Sequence, residues 1–175
     1  TYGEDLDKFS FYDWLSFEVL NLNPQFCFVP YGSGELYKNI LEINHREIMS
    51  KRSSKRYFGT KEILSRCAFL GARAENKNTK MKMLYAKYNK FSTEDFQYYF
   101  DRGTCSKQSR IEFVNEEMNF LNKASKIAKE NNIEFEPSGI AGLALFLQLK
   151  DQLKIQTNDK VVIINTGKIK LELFK

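Results

Sequence analysis

No apolar run in this chain approaches the roughly 18 residues needed to cross a bilayer as a helix. The longest, residues 140–149, is interrupted by Gly142 and Gln148 and reads as a buried helix. Cysteine is scarce: Cys27, Cys67 and Cys105 are odd in number, widely spaced and form no CxxC pair. That argues against a disulfide framework and fits a reducing cytoplasm. The only histidine is His45, which leaves a zinc site without ligands, so no metal is expected. The first residues show no signal-peptide pattern and the sequence opens on Thr1 rather than Met, which predicts a piece of a longer protein. Charge of one sign is not concentrated either. The net charge is +5, but the positives are scattered and the only dense run, KRSSKR at 51–56, reads as a solvated loop. No nucleic-acid motif accompanies it, so neither nucleic acid nor membrane is an expected partner.

What is present is an ordinary globular composition in 175 residues, 42% hydrophobic and 28% charged, enough for one domain with a real core. Residues 9–21 place Phe9, Trp14, Phe17 and Val19/Leu20 near helical spacing. The run FCFV at 26–29 predicts a buried strand, and residues 36–49, with Leu36, Ile40, Ile43 and Ile48 apolar, a second helix. Residues 50–61 read as a loop and 67–74 as a strand. Residues 81–108 read as irregular, with one short helix near 94–100. Residues 110–114 alternate like a strand, and Asn115 is placed to cap a helix running to Glu130 with Met118, Leu121, Ala124/Ser125 and Ala128 inward. A short strand at 133–135, a helix at 139–153 and a buried strand at 160–165 complete the pattern. Strands alternate with helices, which predicts an α/β fold, a mostly parallel sheet flanked by helices, with residues 26–29 and 161–164 as interior strands.

Three segments carry possible chemistry. In Val29-Pro30-Tyr31-Gly32-Ser33-Gly34-Glu35-Leu36, glycines at a strand end would let backbone N–H groups point at one spot beside a helix start, and phosphate is the natural guest. No Gly-Lys-Ser/Thr follows Gly34, and a dinucleotide fingerprint would need a glycine where Tyr37 stands. An ordinary βα turn is the alternative. In Glu136-Pro137-Ser138-Gly139-Ile140-Ala141-Gly142, a carboxylate and a hydroxyl precede a helix of small residues, which would admit a bulky guest or serve close helix–sheet packing equally well. In Val161-Val162-Ile163-Ile164-Asn165-Thr166-Gly167, a strand ends on a hydroxyl at the sheet edge where open α/β sheets bind ligands, though Thr166 also suits a turn.

Taken together and in this order, VPYGSGELY, EPSGIAGLA and VVIINTGK resemble the C-terminal half of the fold-type-II pyridoxal-phosphate enzymes, the tryptophan synthase β-subunit group. Within it the threonine synthase branch is the most similar, and FLGARAE resembles the strand before that family's variable segment. The resemblance implies a pyridoxal 5'-phosphate site in which Gly32, Ser33 and Gly34 hold the phosphate. Ser138 and Gly139 would line the ring, Glu136 would stand behind them, and Thr166 would face the pyridine nitrogen. A hydroxyl there does not force that nitrogen to stay protonated, which suits elimination or replacement at the β or γ carbon of a small amino acid. Two departures stand out. Glu35 occupies a position where the family usually has glycine or another small residue. The Schiff-base lysine belongs to the family's N-terminal half, so this chain would be a C-terminal fragment, its missing N-terminal half the first partner and a homodimer an assembly it admits. No catalytic residue can be named within it. A non-catalytic binding or regulatory module on the same fold, and a generic phosphate-ligand domain, are the rival readings.

Overall fold

The computed structural model describes residues 12–53, 66–75, 77–85, 93–115 and 118–167. In chain order the elements are α1 (Asp13–Asn21), β1 (Phe26–Pro30), α2 (Glu35–Ser53), β2 (Ala68–Arg73), a 3₁₀ turn (Lys82–Leu84), α3 (Thr93–Asp101), β3 (Arg110–Phe113), α4 (Phe120–Glu130), α5 (Ala141–Leu149) and β4 (Val161–Ile163). The four strands form one all-parallel sheet in the order β3-β2-β1-β4. Each is delivered by a crossover through helix or loop, as parallel pairing requires.

β1 is apolar throughout because both its faces are covered. Alternate side chains point to opposite sides of the sheet. Cys27 and Val29 pack with Ile40 and Leu41 of α2, and with Val19, Leu20 and Phe96 of α1 and α3. Phe26 and Phe28 pack on the other side with Leu121 and Ala124 of α4 and with Ala141, Ala144 and Leu145 of α5. The result is the three-layer arrangement expected from the sequence, with helices on both faces of a parallel sheet. Fully burying one such large aliphatic side chain contributes about 1.5–3 kcal/mol, so each face is a substantial part of the stability. Among the described residues no helix is long and apolar enough to cross a membrane.

Four expectations are corrected. β4 is an edge strand among the described residues, paired only with β1, and its residues are half-buried. Its apolar character comes from helices above and below: Val162 packs against one core layer, Val161 and Ile163 against the other. Residues 133–135 are not a strand. Asn132 takes φ +54°, the Ile133 N–H returns to the Ala128 carbonyl at 2.9 Å, and the Asn132 N–H returns to Lys129. This is a left-handed helix C-cap that uses the donors a strand would need. α4 begins at Phe120 rather than beside Asn115, because Asn119 at φ +58° interrupts any helix. Asn115 does cap, but locally, its Oδ1 accepting from the Met118 N–H at 3.0 Å, and Met118 is exposed. In α1 the buried face is Asp13, Ser16, Val19 and Leu20, whereas Trp14 is 72% exposed. Phe9 lies outside the described residues, as does most of the 50–61 loop, although α2 runs on to Ser53.

The polar face of α1 is inward because α2 meets it with an amide. Asn39 Nδ2 donates to Asp13 Oδ1 at 2.6 Å, and the Ser16 hydroxyl donates to Asn39 Oδ1 at 2.5 Å. All three side chains are buried, and satisfied polar groups of this kind set one register between two helices.

Candidate functional site

The Gly32, Ser33, Gly34 turn leaves β1 at the carboxyl end of the sheet and leads directly into the 19-residue helix α2. Gly34 has φ +86°, a left-handed backbone that a side chain rarely adopts. A Cβ there would lie 2.7 Å from the Tyr31 hydroxyl oxygen. Ser33 is exposed, and its hydroxyl accepts from the Glu35 N–H at 3.4 Å, a weak cap on the helix start. The side chain of Glu35 is exposed in the first turn, where a carboxylate complements the helix dipole. Tyr37, which stands where a dinucleotide fold would carry glycine, is buried and donates its hydroxyl to the Phe69 carbonyl of β2 at 2.7 Å. Burial raises its phenol pKa well above the ordinary value.

Met83 joins this turn to the second motif. Its carbonyl oxygen would lie 2.8 Å from a Cβ on Gly32. Its N–H donates to the buried Ser138 hydroxyl at 3.1 Å. Gly139, next to Ser138, abuts the third motif: a Cβ there would meet the Gly167 carbonyl at 2.9 Å, Asn165 Oδ1 at 3.0 Å and Thr166 Oγ1 at 3.1 Å. Thr166 itself is exposed. Its loop is shaped by Asn165, whose Nδ2 donates to the Glu134 carbonyl at 2.9 Å while Oδ1 accepts from the Gly167 N–H at 3.0 Å. The structure thus brings Gly32, Ser138, Gly139 and Thr166 into one contiguous edge, with Ser33 and Gly34 continuing it on the α2 side. Glu136 is half-buried beside it, and its backbone carbonyl accepts from Ile140 in the turn that opens α5.

Several small residues of the second motif also do packing work. A Cβ on Gly142 would lie 3.0 Å from the Phe28 carbonyl of β1, so α5 sits directly on the sheet. Two contributors to this edge were not visible in the sequence. Met83 lies in a stretch without periodicity, and only its backbone atoms matter. Asn165 acts through an amide in a loop, which spacing arguments do not detect.

The three cysteines are free and buried. Burial pushes the Cys27 thiol up to about 12 and Cys67 well above its ordinary value. It pushes Cys105 to about 11, against a smaller lowering by a hydrogen bond with Ser109. They are inert core residues rather than nucleophiles. Among the described residues no cluster of three or more His, Cys, Asp or Glu side chains could hold a metal ion. No protein-family model and no curated protein matches this chain.

Proposed function

We propose that this chain supplies the phosphate cradle and one pocket wall of a pyridoxal-phosphate-dependent enzyme that eliminates or replaces a side-chain group on a small amino acid. The observation that carries this reading is the convergence of three motifs far apart in sequence, Gly32 through Met83 to Ser138 and from Gly139 to Thr166, at one carboxyl edge of a parallel sheet. The residues fit the group. Backbone N–H groups at the start of a long helix suit a phosphate dianion. Ser33 is exposed beside them. Gly139 lets the loop of Asn165, Thr166 and Gly167 approach closely, and the Thr166 hydroxyl is exposed there.

When bound, the cofactor withdraws electrons from the α-carbon of an amino acid. This chain's own part is to bind and orient. The Ser33–Gly34 turn fixes the phosphate end, Ser138 holds the Met83 peptide between the two motifs, and Thr166 offers a hydroxyl partner that leaves the ring nitrogen free to lose its proton. The lysine and the substrate-carboxylate loop come from an N-terminal half of the same protein, which is the expected partner, with a homodimer as the assembly. Three free thiols suit a reducing, cytoplasmic setting.

The test is titration of the 175-residue chain with pyridoxal 5'-phosphate, followed by borohydride reduction and intact-mass measurement. Reversible, phosphate-competitive binding without a covalent adduct is expected, weakened in Gly34→Ala and in Thr166→Val. A stoichiometric adduct on one lysine of this chain refutes the division of labour. Binding that ignores both substitutions, or none at all, refutes the site and favours the non-catalytic module.

A further inference from the structure

The interior strand β2 ends on a charge: Ala68 to Ala72 are buried, and Arg73 at the carboxyl end is half-buried. Alternation sets its face. Phe69 packs in the layer of α2, Leu70 and Ala72 in the other, so Arg73 leaves the sheet on the α2 side. It is in register with Phe113 of β3 and lies one residue past the pairing of Ala72 with Pro30 of β1, which sets Tyr31 beside it. Neighbouring strands are about 4.8 Å apart. The arginine therefore rises one strand away from the residue whose hydroxyl lies under Gly34.

Little holds this guanidinium. Its Cζ stands 5.5 Å from the centre of the Phe113 ring. Its Nε is buried without a hydrogen-bond partner, and among the described residues the side chain makes no ion pair. The carboxylate of the neighbouring strand, Glu112, belongs to the opposite face and is taken by Arg110 Nε at 2.6 Å. A guanidinium stays charged throughout the range in which proteins fold, and a charge or donor buried without a partner is costly. Contact with a ring engages the flat face of the group and leaves its in-plane N–H groups for an acceptor. The acceptor that matches such a planar fork is an oxyanion.

We propose that Arg73 binds the phosphate of the ligand held at the Ser33–Gly34 turn, its terminal N–H groups and the backbone N–H groups of the turn sharing one phosphate. This deepens the reading of the turn as a phosphate cradle and rests on it. The start of α2 offers an anion about half a positive charge, and Arg73 adds a full one. A carboxylate fits the same fork, and the two anions are separated below by direct comparison.

The test is an NMR titration of the 15N-labelled full chain with inorganic phosphate and with acetate, at constant ionic strength. It follows the backbone amides of Ser33 and Gly34 and the Arg73 Nε–H, assigned by its loss in Arg73→Lys; burial slows the exchange of that proton with water. Phosphate is expected to shift all three signals with one saturation curve, and acetate to bind more weakly. Arg73→Gln should weaken phosphate about tenfold or more, the loss expected for one charged partner. Arg73→Lys keeps the charge and the packed stem without the fork, and should fall between. Shifts at Ser33 and Gly34 alone leave the cradle standing and overturn this inference. A shift at Arg73 alone places the anion away from the turn and overturns the shared site, and no saturable shift at any of the three removes both readings. Tighter binding of acetate, phosphate affinity unaltered in both variants, or a shift of the Arg73 signal in ligand-free Glu35→Gln, which would reveal an internal pair with that carboxylate, also overturns the proposal.

Discussion

Replacing Gly34 with alanine is expected to destabilise the fold more than any other single methyl group added near the candidate site. The residue holds φ +86°, and its new Cβ would stand 2.7 Å from the Tyr31 hydroxyl oxygen and 2.9 Å from the ring carbon Cζ. The left-handed backbone alone costs an L-residue about 1–2 kcal/mol. Relieving the overlap adds about 1–3 kcal/mol, the usual cost of overpacking a dense interior. Tyr31 cannot simply swing away, because its ring is fully buried and packed edge-on against Tyr37, centroid to centroid 5.6 Å. Urea denaturation followed by circular dichroism reads the sum. With a slope of about 2 kcal/mol/M the midpoint should fall by about 1–2.5 M at unchanged slope. Tyr31→Phe combined with Gly34→Ala should recover only part of the loss, since Cζ and the backbone conformation remain. A Gly34→Ala protein within about 0.5 kcal/mol of the parent, the range of an ordinary surface change, would refute the argument.

Asn39→Ala withdraws the amide shared by Asp13 and Ser16, and should cost about 2–4 kcal/mol in thermal unfolding because it leaves buried polar partners behind; a loss below about 0.5 kcal/mol would show the network to be dispensable. The thiols make a pH prediction. Ordinary thiols titrate near 9.0 but Cys27 is pushed to about 12 and Cys105 to about 11. Above pH 9 the unfolded chain therefore sheds thiol protons that the folded chain retains, and stability should fall as pH rises, by up to about 1.4 kcal/mol per unit per thiol. A Cys27→Ala, Cys105→Ala double variant should reduce that slope to the part Cys67 still supplies, and an unchanged slope would refute the assignment to these thiols. In the native protein at pH 8 the three cysteines should resist iodoacetamide until denaturant is added; rapid labelling of Cys27 or Cys67 would contradict their burial.

The layers of the fold were legible because β1 and β2 are short, continuous apolar runs bounded by turn residues, and α2 carries Leu36, Ile40, Ile43 and Ile48 on one stripe. Edge against interior was not legible for β4. An apolar run records what covers a strand above and below, and Val161 to Ile163 are covered on both faces while lacking a second neighbour among the described residues. α1 misled for a different reason. Hydrophobicity favours Trp14 and Phe17, but the inward face is decided by a hydrogen-bond partner on another helix, Asn39, which no local pattern contains. The helix end at Asn132 reads in sequence as the approach to a strand, because three residues are too few to distinguish a cap from an extended segment. At the candidate site the glycines, Ser138 and Thr166 were legible as motifs, but what joins them is a peptide group of Met83. Backbone atoms carry no sequence signature.

That peptide group has a mechanical consequence. The Met83 N–H is tied to the approach to α5 through Ser138, and its carbonyl fills the space where a side chain on residue 32 would stand. A rigid, planar unit held on one side and packed against the other acts as a stop. The glycine turn cannot move in toward the α5 entrance without driving Gly32 into that carbonyl or breaking the Ser138 bond. Slow exchange of a single amide proton, that of Met83, would report the lifetime of the Ser138 bond that holds the stop in place.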